Sequence, residues 1–424
     1  MFYLQNKSKE FGKISVGIVG TGLMGTSLFC KIVENDSFSA SVLAGRNEKT
    51  LFKAVEIAGI KDDEYIFTND IEEAKEALKN NLHVLTNDIY FAASITDVVV
   101  DCTGDTEVGT LLSLKAIEEK VNIVSLNVEM DATVGPYLKK LADDAGIVYS
   151  GSAGDEPGAI LDIYEFAINC GFEVLVLGKG KNNKLDNYAS PDDLEDDAKK
   201  KGVNSRMLTS FVDGTNTMFE LNAVCNATGF VPDVSGCHFI DTNPKNIAED
   251  FKLKSEGGIL NSYKVVDFAT GIAPGVFAVV RDKNNFITDE MKYLSMGEGP
   301  NFSIYRPYHL TSLETPQSII RAVVLGDSTI APVGGPVAET IAIAKRDIKK
   351  GESFDSIGGY MIFGRLVTSK VKRSGNHVPI GIITKGSVAK RDIKKGTALT
   401  YEDINLNEDS EIVRIRKLQD EFFY

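Results

Sequence analysis

Long apolar runs are the first thing this sequence lacks. No uninterrupted hydrophobic stretch approaches the roughly 18 residues of a membrane-spanning helix. Residues 1–12 are polar and hold no apolar leader segment, so neither a membrane span nor a secretory signal is expected. Histidine is scarce, with 4 in the chain, and no H-E-x-x-H, Cys/His zinc spacing or G-x-S-x-G occurs. The zinc and serine hydrolases that those motifs announce are thereby set aside. The 5 cysteines (Cys30, Cys102, Cys170, Cys225, Cys237) are scattered, with no C-x-x-C. An odd count at wide spacing predicts reduced thiols in a cytoplasmic protein. No basic run is long enough to offset a net charge of −14, which argues against a nucleic-acid partner.

What is present is ordinary in bulk and specific in detail. Charged residues make up 25% and hydrophobic ones 43% of 424 residues, enough for two or three soluble domains. Near the start, the apolar run Ile14 to Val19 leads straight into glycines at 20, 22 and 25, and the apolar helical run Leu28 to Val33 follows. This is G-x-G-x-x-G between a strand and a helix, the context in which it binds a dinucleotide. Gly20 allows the tight turn, Gly22 lets backbone approach a pyrophosphate, and Gly25 lets helix and strand pack. Leu23 and Met24 lie in the same turn, at the helix N-terminus that would hold the anion.

A second strand, Ala40 to Ala44, ends in Gly45-Arg46-Asn47. Arg46 stands about twenty residues past the glycines, where NAD enzymes carry Asp or Glu for the ribose hydroxyl. A guanidinium there suits a 2′-phosphate, so NADP(H) is expected, the alternative being a solvated arginine. Residues 47–90 are mixed, with two amphipathic stretches, Lys49 to Ile57 and Ile71 to Leu78, that read as surface helices. Strands Ile95 to Cys102, Asn122 to Leu126 and Ile147 to Ser150 then alternate with helices Leu111 to Glu119 and Val134 to Asp143. The alternation predicts an α/β, Rossmann-type doubly wound parallel sheet over residues 1–150, completed by a returning helix near 310–330. Ligands meet such sheets at the carboxyl ends of strands, which nominates Thr103, Gly104, Asn127 and Glu129.

Residues 151–309 read as an α+β substrate and dimerisation domain. Asp155 and Glu156 open a helical run, Ala159 to Asn169, where they either serve chemistry or complement the helix dipole. The strand Glu173 to Leu177 ends in Gly178-Lys179-Gly180-Lys181, read as lysines exposed to a cleft and able to bind an anion or polarise a carbonyl. The polar segment Leu185 to Lys201 reads as a mobile excursion. Asp213 and Thr215 either touch substrate or cap the buried helix Met218 to Ala227. Glu220, inside that apolar run, needs a partner. Tyr305-Arg306-Pro307-Tyr308-His309 gathers polar groups before the apolar helix Ser318 to Leu325. In the tail, residues 335–424, Ala344 to Gly351 recurs identically at Ala389 to Gly396, predicting two similar turns with exposed lysines in a small β-rich domain, with strands near Tyr360–Val367 and Pro379–Thr384.

Asn127-Val128-Glu129 with Asp131, Gly154-Asp155, Gly178-Lys179-Gly180, Asp213-Gly214-Thr215, Ala227-Thr228-Gly229 and Tyr305 to Leu310 together resemble the 1-deoxy-D-xylulose 5-phosphate reductoisomerase-like proteins. That family is related to homoserine dehydrogenase, and the tail resembles its appended SAF (β-clip) domain. Glu156 and Lys181 depart from the family's pattern, which leaves Lys179 to polarise the carbonyl. The resemblance implies an NADPH-dependent oxidoreductase acting on a small, polar, phosphorylated carbonyl compound, with a divalent cation (Mg²⁺ or Mn²⁺) beside the oxygen that gains charge. It implies a catalytic group of Lys179, Glu129, Asp155, Asp213 and His309. Substrate contacts would come from Arg306, Tyr305, Tyr308, Lys181 and Thr215. By analogy with dehydrogenases of this plan, a homo-oligomer paired through the second domain's sheet is expected. Two rival readings are plain hydride transfer, as in homoserine dehydrogenase or a sugar- or polyol-phosphate dehydrogenase, and a cofactor-binding sensor without turnover.

Overall fold

The computed structural model describes residues 3–424. Its internal contacts divide into two units, Met1–Gly158 with Leu310–Ala331 and Ala159–His309 with Pro332–Tyr424. The first unit carries strands β1 (Val16–Val19), β2 (Val42–Ala44), β3 (Tyr65–Phe67), β4 (His83–Thr86), β5 (Val98–Asp101), β6 (Asn122–Ser125) and β7 (Tyr149–Gly151). Between them run helices α1 (Tyr3–Phe11), α2 (Leu23–Val33), α3 (Glu48–Ala58), α4 (Ile71–Lys79), α5 (Thr106–Glu119) and α6 (Val128–Ala145). The strands form one sheet in the order β3-β4-β2-β1-β5-β6-β7, and all neighbours are parallel. Strands β1, β2 and β5 are buried at every position, which is why they read as nearly continuous apolar runs. The doubly wound sheet is the one expected.

The strand order reverses at β1, with β2 on one side and β5 on the other. The loops after β1 and β5 therefore lie at the topological switch point, where open α/β sheets bind ligands. The unit's core joins Ile18, Phe29, Leu43 and Val100 with Ile319 and Ala322, contributed by the helix Thr315–Ile320 and the π-helical turn Arg321–Leu325. Two strands, β3 and β4, lie in the stretch read as surface helices alone. They are three and four residues long, and β3 is a half-buried edge, too short for a period to show.

In the second unit, α7 (Glu156–Asn169), whose first turn holds the division between units, precedes β8 (Glu173–Gly180), α8 (Glu195–Lys201), α9 (Ser205–Val212) and α10 (Thr215–Thr228). Strands β9 (Val231–Pro232), β10 (Ile240–Asp241), β11 (Val265–Thr270), β12 (Val276–Arg281) and β13 (Asn301–Arg306) follow. The sheet runs β10-β11-β8-β12-β13, parallel from β10 to β8 and antiparallel beyond. Alternation along β12 sorts its two faces. Val276, Ala278 and Val280 pack with Ile160 of α7 and Leu221 and Val224 of α10. Phe277 and Val279 pack with Ile247, Phe251 and Leu260. The chain thus covers both faces of this sheet with its own residues.

The segment read as a mobile excursion is folded. Ala189 is buried, the Tyr188 ring packs on Phe363 and under the Lys395 ammonium, and Asp192 accepts a hydrogen bond from Tyr360. Polarity marked the segment as solvated, but Tyr188 docks on the tail and Leu185 packs on the unit's core. In the tail, β14 (Ala338–Ala344) and β15 (Ile362–Thr368) form an antiparallel ladder. Pro379–Thr384, expected as a strand, instead holds the short 3₁₀ turn Ile380–Ile382. The two copies of the octapeptide pair with each other, Ile348 and Ile393 exchanging both backbone hydrogen bonds.

Candidate functional site

The glycine turn follows β1 as expected. Gly20 has φ +114, and a Cβ there would stand 2.8 Å from the Cys102 carbonyl oxygen. At Gly25 a Cβ would come within 1.9 Å of the Gly20 carbonyl oxygen, so turn and helix pack only because it is missing. Gly22 is different, because nothing lies within 4 Å of its Cβ position. That gap is the cradle a pyrophosphate needs. Gly22 also caps α2 and offers no side chain to it, so the first-turn N–H groups are left for a ligand to satisfy. Leu23 is 65% exposed beside them and Met24 is half-buried. Arg46 is exposed at the end of β2, within electrostatic reach of the Tyr90 phenol. The neighbouring Asn47 accepts from the Lys49 N–H to cap α3.

At the end of β5, buried Asp101 accepts from the Thr103 hydroxyl at 2.6 Å and its N–H at 2.9 Å. Gly104 continues the turn at φ +63 with open space at its Cβ. Asn127 is fully buried and its amide is engaged, donating to Asp101 (3.0 Å) and the Asp105 carbonyl (2.9 Å) while accepting from the Met130 N–H. Its side chain braces the strand ends and caps α6. Glu129, one turn into α6, is half-buried, and burial raises its carboxyl to about 7. Burial likewise lifts Asp131 to about 6, against a 2.8 Å hydrogen bond from Tyr149. Asp155 and Glu156 are half-buried at the start of α7.

In the second unit the lysines are not where a strand-end loop would leave them. Strand β8 continues through Gly178, Lys179 and Gly180, so Lys179 and Lys181 are 4% and 5% exposed. Gly178 and Gly180 are small because a Cβ would strike Phe277 and the Ala273 backbone. Lys179 pairs with Glu220, which is 2% exposed. The other Glu220 oxygen accepts from the Asn216 amide at 2.6 Å. That supplies the partner its apolar setting demanded. Lys181 donates to the Phe211 carbonyl. Asp213 and Thr215 are wholly buried. Asp213 accepts from the Thr215 N–H (2.8 Å) and pairs with Lys345 (2.7 Å). The Thr215 hydroxyl accepts from the Gly364 N–H. Asp213 thus caps the first turn of α10, and the Thr215 hydroxyl is taken up by the tail.

The 305–309 stretch stays near the surface. Tyr305 donates to the Ile272 carbonyl at 2.7 Å. Arg306 reaches Asp162 at 3.2 Å and stacks 4.6 Å over the Tyr308 ring. His309 is half-buried. A second histidine, His238, meets Asp233 at 2.6 Å, and its backbone N–H donates to buried Asp267. Cys237 and Phe239, flanking it, both have positive φ. The signal was a carboxylate, Asp267, inside the apolar strand Val265–Thr270. Lys345 was also missed, being one of two identical lysines in a repeat.

Residues 154–315 match the family model described as oxidoreductase DRL, catalytic domain, which assigns that segment to an oxidoreductase. No curated protein matches the chain. Among solved structures, the chain is similar to 1-deoxy-D-xylulose 5-phosphate reductoisomerase from Zymomonas mobilis in complex with NADPH. That match is 18% identical with a TM-score of 0.34, over 49% of this chain and 56% of the other. A probable dehydrogenase from Thermotoga maritima is 12% identical with a TM-score of 0.43, over 76% and 91%. The UDP-N-acetylglucosamine 3-dehydrogenase from Acidithiobacillus ferrooxidans is 9% identical with a TM-score of 0.40, over 75% and 92%. The chain spans little more than half of the reductoisomerase. Among the described residues no helix is long and apolar enough to cross a membrane, and all five cysteines are unbonded.

Proposed function

We propose that this protein is an NADP(H)-dependent oxidoreductase that reduces the carbonyl group of a small, polar, phosphorylated compound. The observation that carries the cofactor is the Gly22 cradle, a backbone surface with open space at the N-terminus of α2. The residues fit a dinucleotide: a helix terminus for the pyrophosphate, and exposed Arg46 for a 2′-phosphate. When bound, the reduced nicotinamide supplies the hydride. The chain supplies the rest. The Lys179 ammonium donates to the carbonyl oxygen and stabilises the negative charge it gains on reduction, held in place by Glu220. Glu129, raised to about 7, exchanges protons near neutral pH. Arg306, Tyr305, Tyr308 and His309 hold the polar end of the substrate. Asp155 and Glu156 offer the oxygen donors that Mg²⁺ or Mn²⁺ prefers.

The finer reading is rearrangement and reduction of 1-deoxy-D-xylulose 5-phosphate to 2-C-methyl-D-erythritol 4-phosphate, in isoprenoid precursor synthesis by a cytoplasmic homo-oligomer, with residues 335–424 as an SAF-like domain. The resemblance of the site motifs and the family match over residues 154–315 support it. One experiment sorts the readings. NADPH absorbance is followed with this substrate, with aspartate semialdehyde and with a panel of sugar and polyol phosphates, each with and without Mg²⁺ or Mn²⁺. Metal-dependent oxidation with the first alone supports the reductoisomerase. Metal-independent turnover of another carbonyl replaces it with a plain dehydrogenase. NADPH binding without turnover leaves a sensor, and no binding at all rejects the proposal.

A further inference from the structure

Within the second unit, one contact between the tail and the segment before α10 lies where the repeat breaks its own symmetry. Lys345, second residue of the first copy, is 4% exposed, whereas Lys390, its counterpart, is exposed. The Lys345 ammonium has three partners. It pairs with Asp213 at 2.7 Å and donates to the Ala189 and Gly359 carbonyls at 2.8 Å each. Lys390 reaches one, the Tyr401 carbonyl at 3.1 Å.

What Lys345 holds is the start of α10. Gly214, the cap residue, has no side chain, and Asp213 does its work by accepting the Thr215 N–H. The tail grips the same turn again through the Gly364 N–H on the Thr215 hydroxyl, a contact so close that a Cβ at Gly364 would meet Thr215 at 2.9 Å. From that turn α10 projects Asn216 and Glu220, and Glu220 holds Lys179. We infer that Lys345 is a positioning residue. Through Asp213 it fixes the first turn of α10, and so the Glu220 carboxylate that orients Lys179. The tail is then part of the reducing machinery and not an attached module.

The inference rests on the reduction proposed above for its kinetic readout, and on Lys179 chemistry for a second readout that needs no turnover. Full-length Lys345→Met and Lys390→Met proteins are compared with wild type. For Lys345→Met, kcat for NADPH oxidation is expected to fall about tenfold with KM within about twofold, because positioning acts on the transition state and not on binding. Reductive methylation of Lys179, read by peptide mass spectrometry, is expected to quicken roughly fivefold as its partner loosens. Lys390→Met should change neither. If Lys345→Met does not fold, Lys345→Met/Asp213→Asn, which leaves no unpaired buried charge, takes its place under the same expectations. A folded variant with wild-type kcat and wild-type Lys179 labelling overturns the inference. Absence of turnover in every protein would count against the proposed reaction, and the labelling comparison would still decide the role of Lys345.

Discussion

Ala344–Gly351 and Ala389–Gly396 are the same eight residues in two places, and they share nearly every interaction. Gly351 N–H donates to the Ala389 carbonyl and Gly396 N–H to that of Ala344, both at 2.8 Å. Lys349 meets Asp392 and Lys394 meets Asp347, both at 2.9 Å. The backbone N–H groups of Lys350 and Lys395 add matching 2.9 Å bonds to the same two carboxylates. The copies are related by a local two-fold, and each is the other's partner. The third residue differs, Arg346 pairing with Glu352 and Arg391 with Asp403, and the second departs most. Residues outside the repeat decide that, since only the first copy has Asp213, Ala189 and Gly359 waiting above it. An identical sequence acquires a structural or a solvated lysine according to what the rest of the chain brings near.

The sharpest way to break the comparison is at that residue. Lys345→Met should lower stability by about 3–5 kcal/mol, because it strands the buried Asp213 carboxylate. Lys390→Met should stay within about 0.5 kcal/mol, as exposed substitutions do. Denaturant unfolding of the two variants measures both, and equal losses would mean that the Lys345–Asp213 pair contributes nothing. Next come the central isoleucines. Ile348 and Ile393 are 0% and 3% exposed, so Ile348→Ala and Ile393→Ala should each cost about 2–5 kcal/mol, and by similar amounts. A wide gap between the two midpoints would show that the two-fold does not extend to packing. Smaller still is the glycine that closes each copy. Gly351 and Gly396 have φ of +87 and +81, and neither Cβ position is crowded. Alanine at either should cost about 1–2 kcal/mol, from backbone strain alone.

The same contrast explains what was legible beforehand. The glycine turn could be read because its chemistry is local: Gly20, Gly22 and Gly25 act through their own backbone and the strand and helix beside them. Strands β1, β2, β5 and β6 were equally plain, since strands buried on both faces are nearly continuous apolar runs. Lys179 stands out in the sequence, but not its setting, because the strand runs on through two glycines and the lysine ends up inside. Its partner Glu220 was visible only as an anomaly, a carboxylate in an apolar helix. Asn127 sits where the strand-end rule put it and spends its amide on Asp101 and Asp105. Lys345 and the His238–Asp233–Asp267 group were out of reach, because burial there is created by segments far away in sequence. Local motifs announce a site, and long-range pairs that hold it do not.

The smallest expected effect tests whether the two-fold holds in the charges. Asp347 and Asp392 are both held below the ordinary carboxylate value of 3.8, first by the backbone N–H of Lys395 or Lys350 and then by the facing lysine. A carboxyl depressed in the folded state adds stability above its unfolded pKa and loses it as pH falls through the folded one. Wild type should therefore lose a small increment of melting temperature as pH drops below 3.8. Asp347→Asn and Asp392→Asn should each lack that share, and by the same amount, since each carboxylate has the same two kinds of donor. Thermal melts of the three proteins from neutral to acid pH give the comparison. If one variant flattens the acid limb and the other leaves it unchanged, the copies are alike in backbone only. The asymmetry seen at Lys345 would then extend to the two aspartates as well.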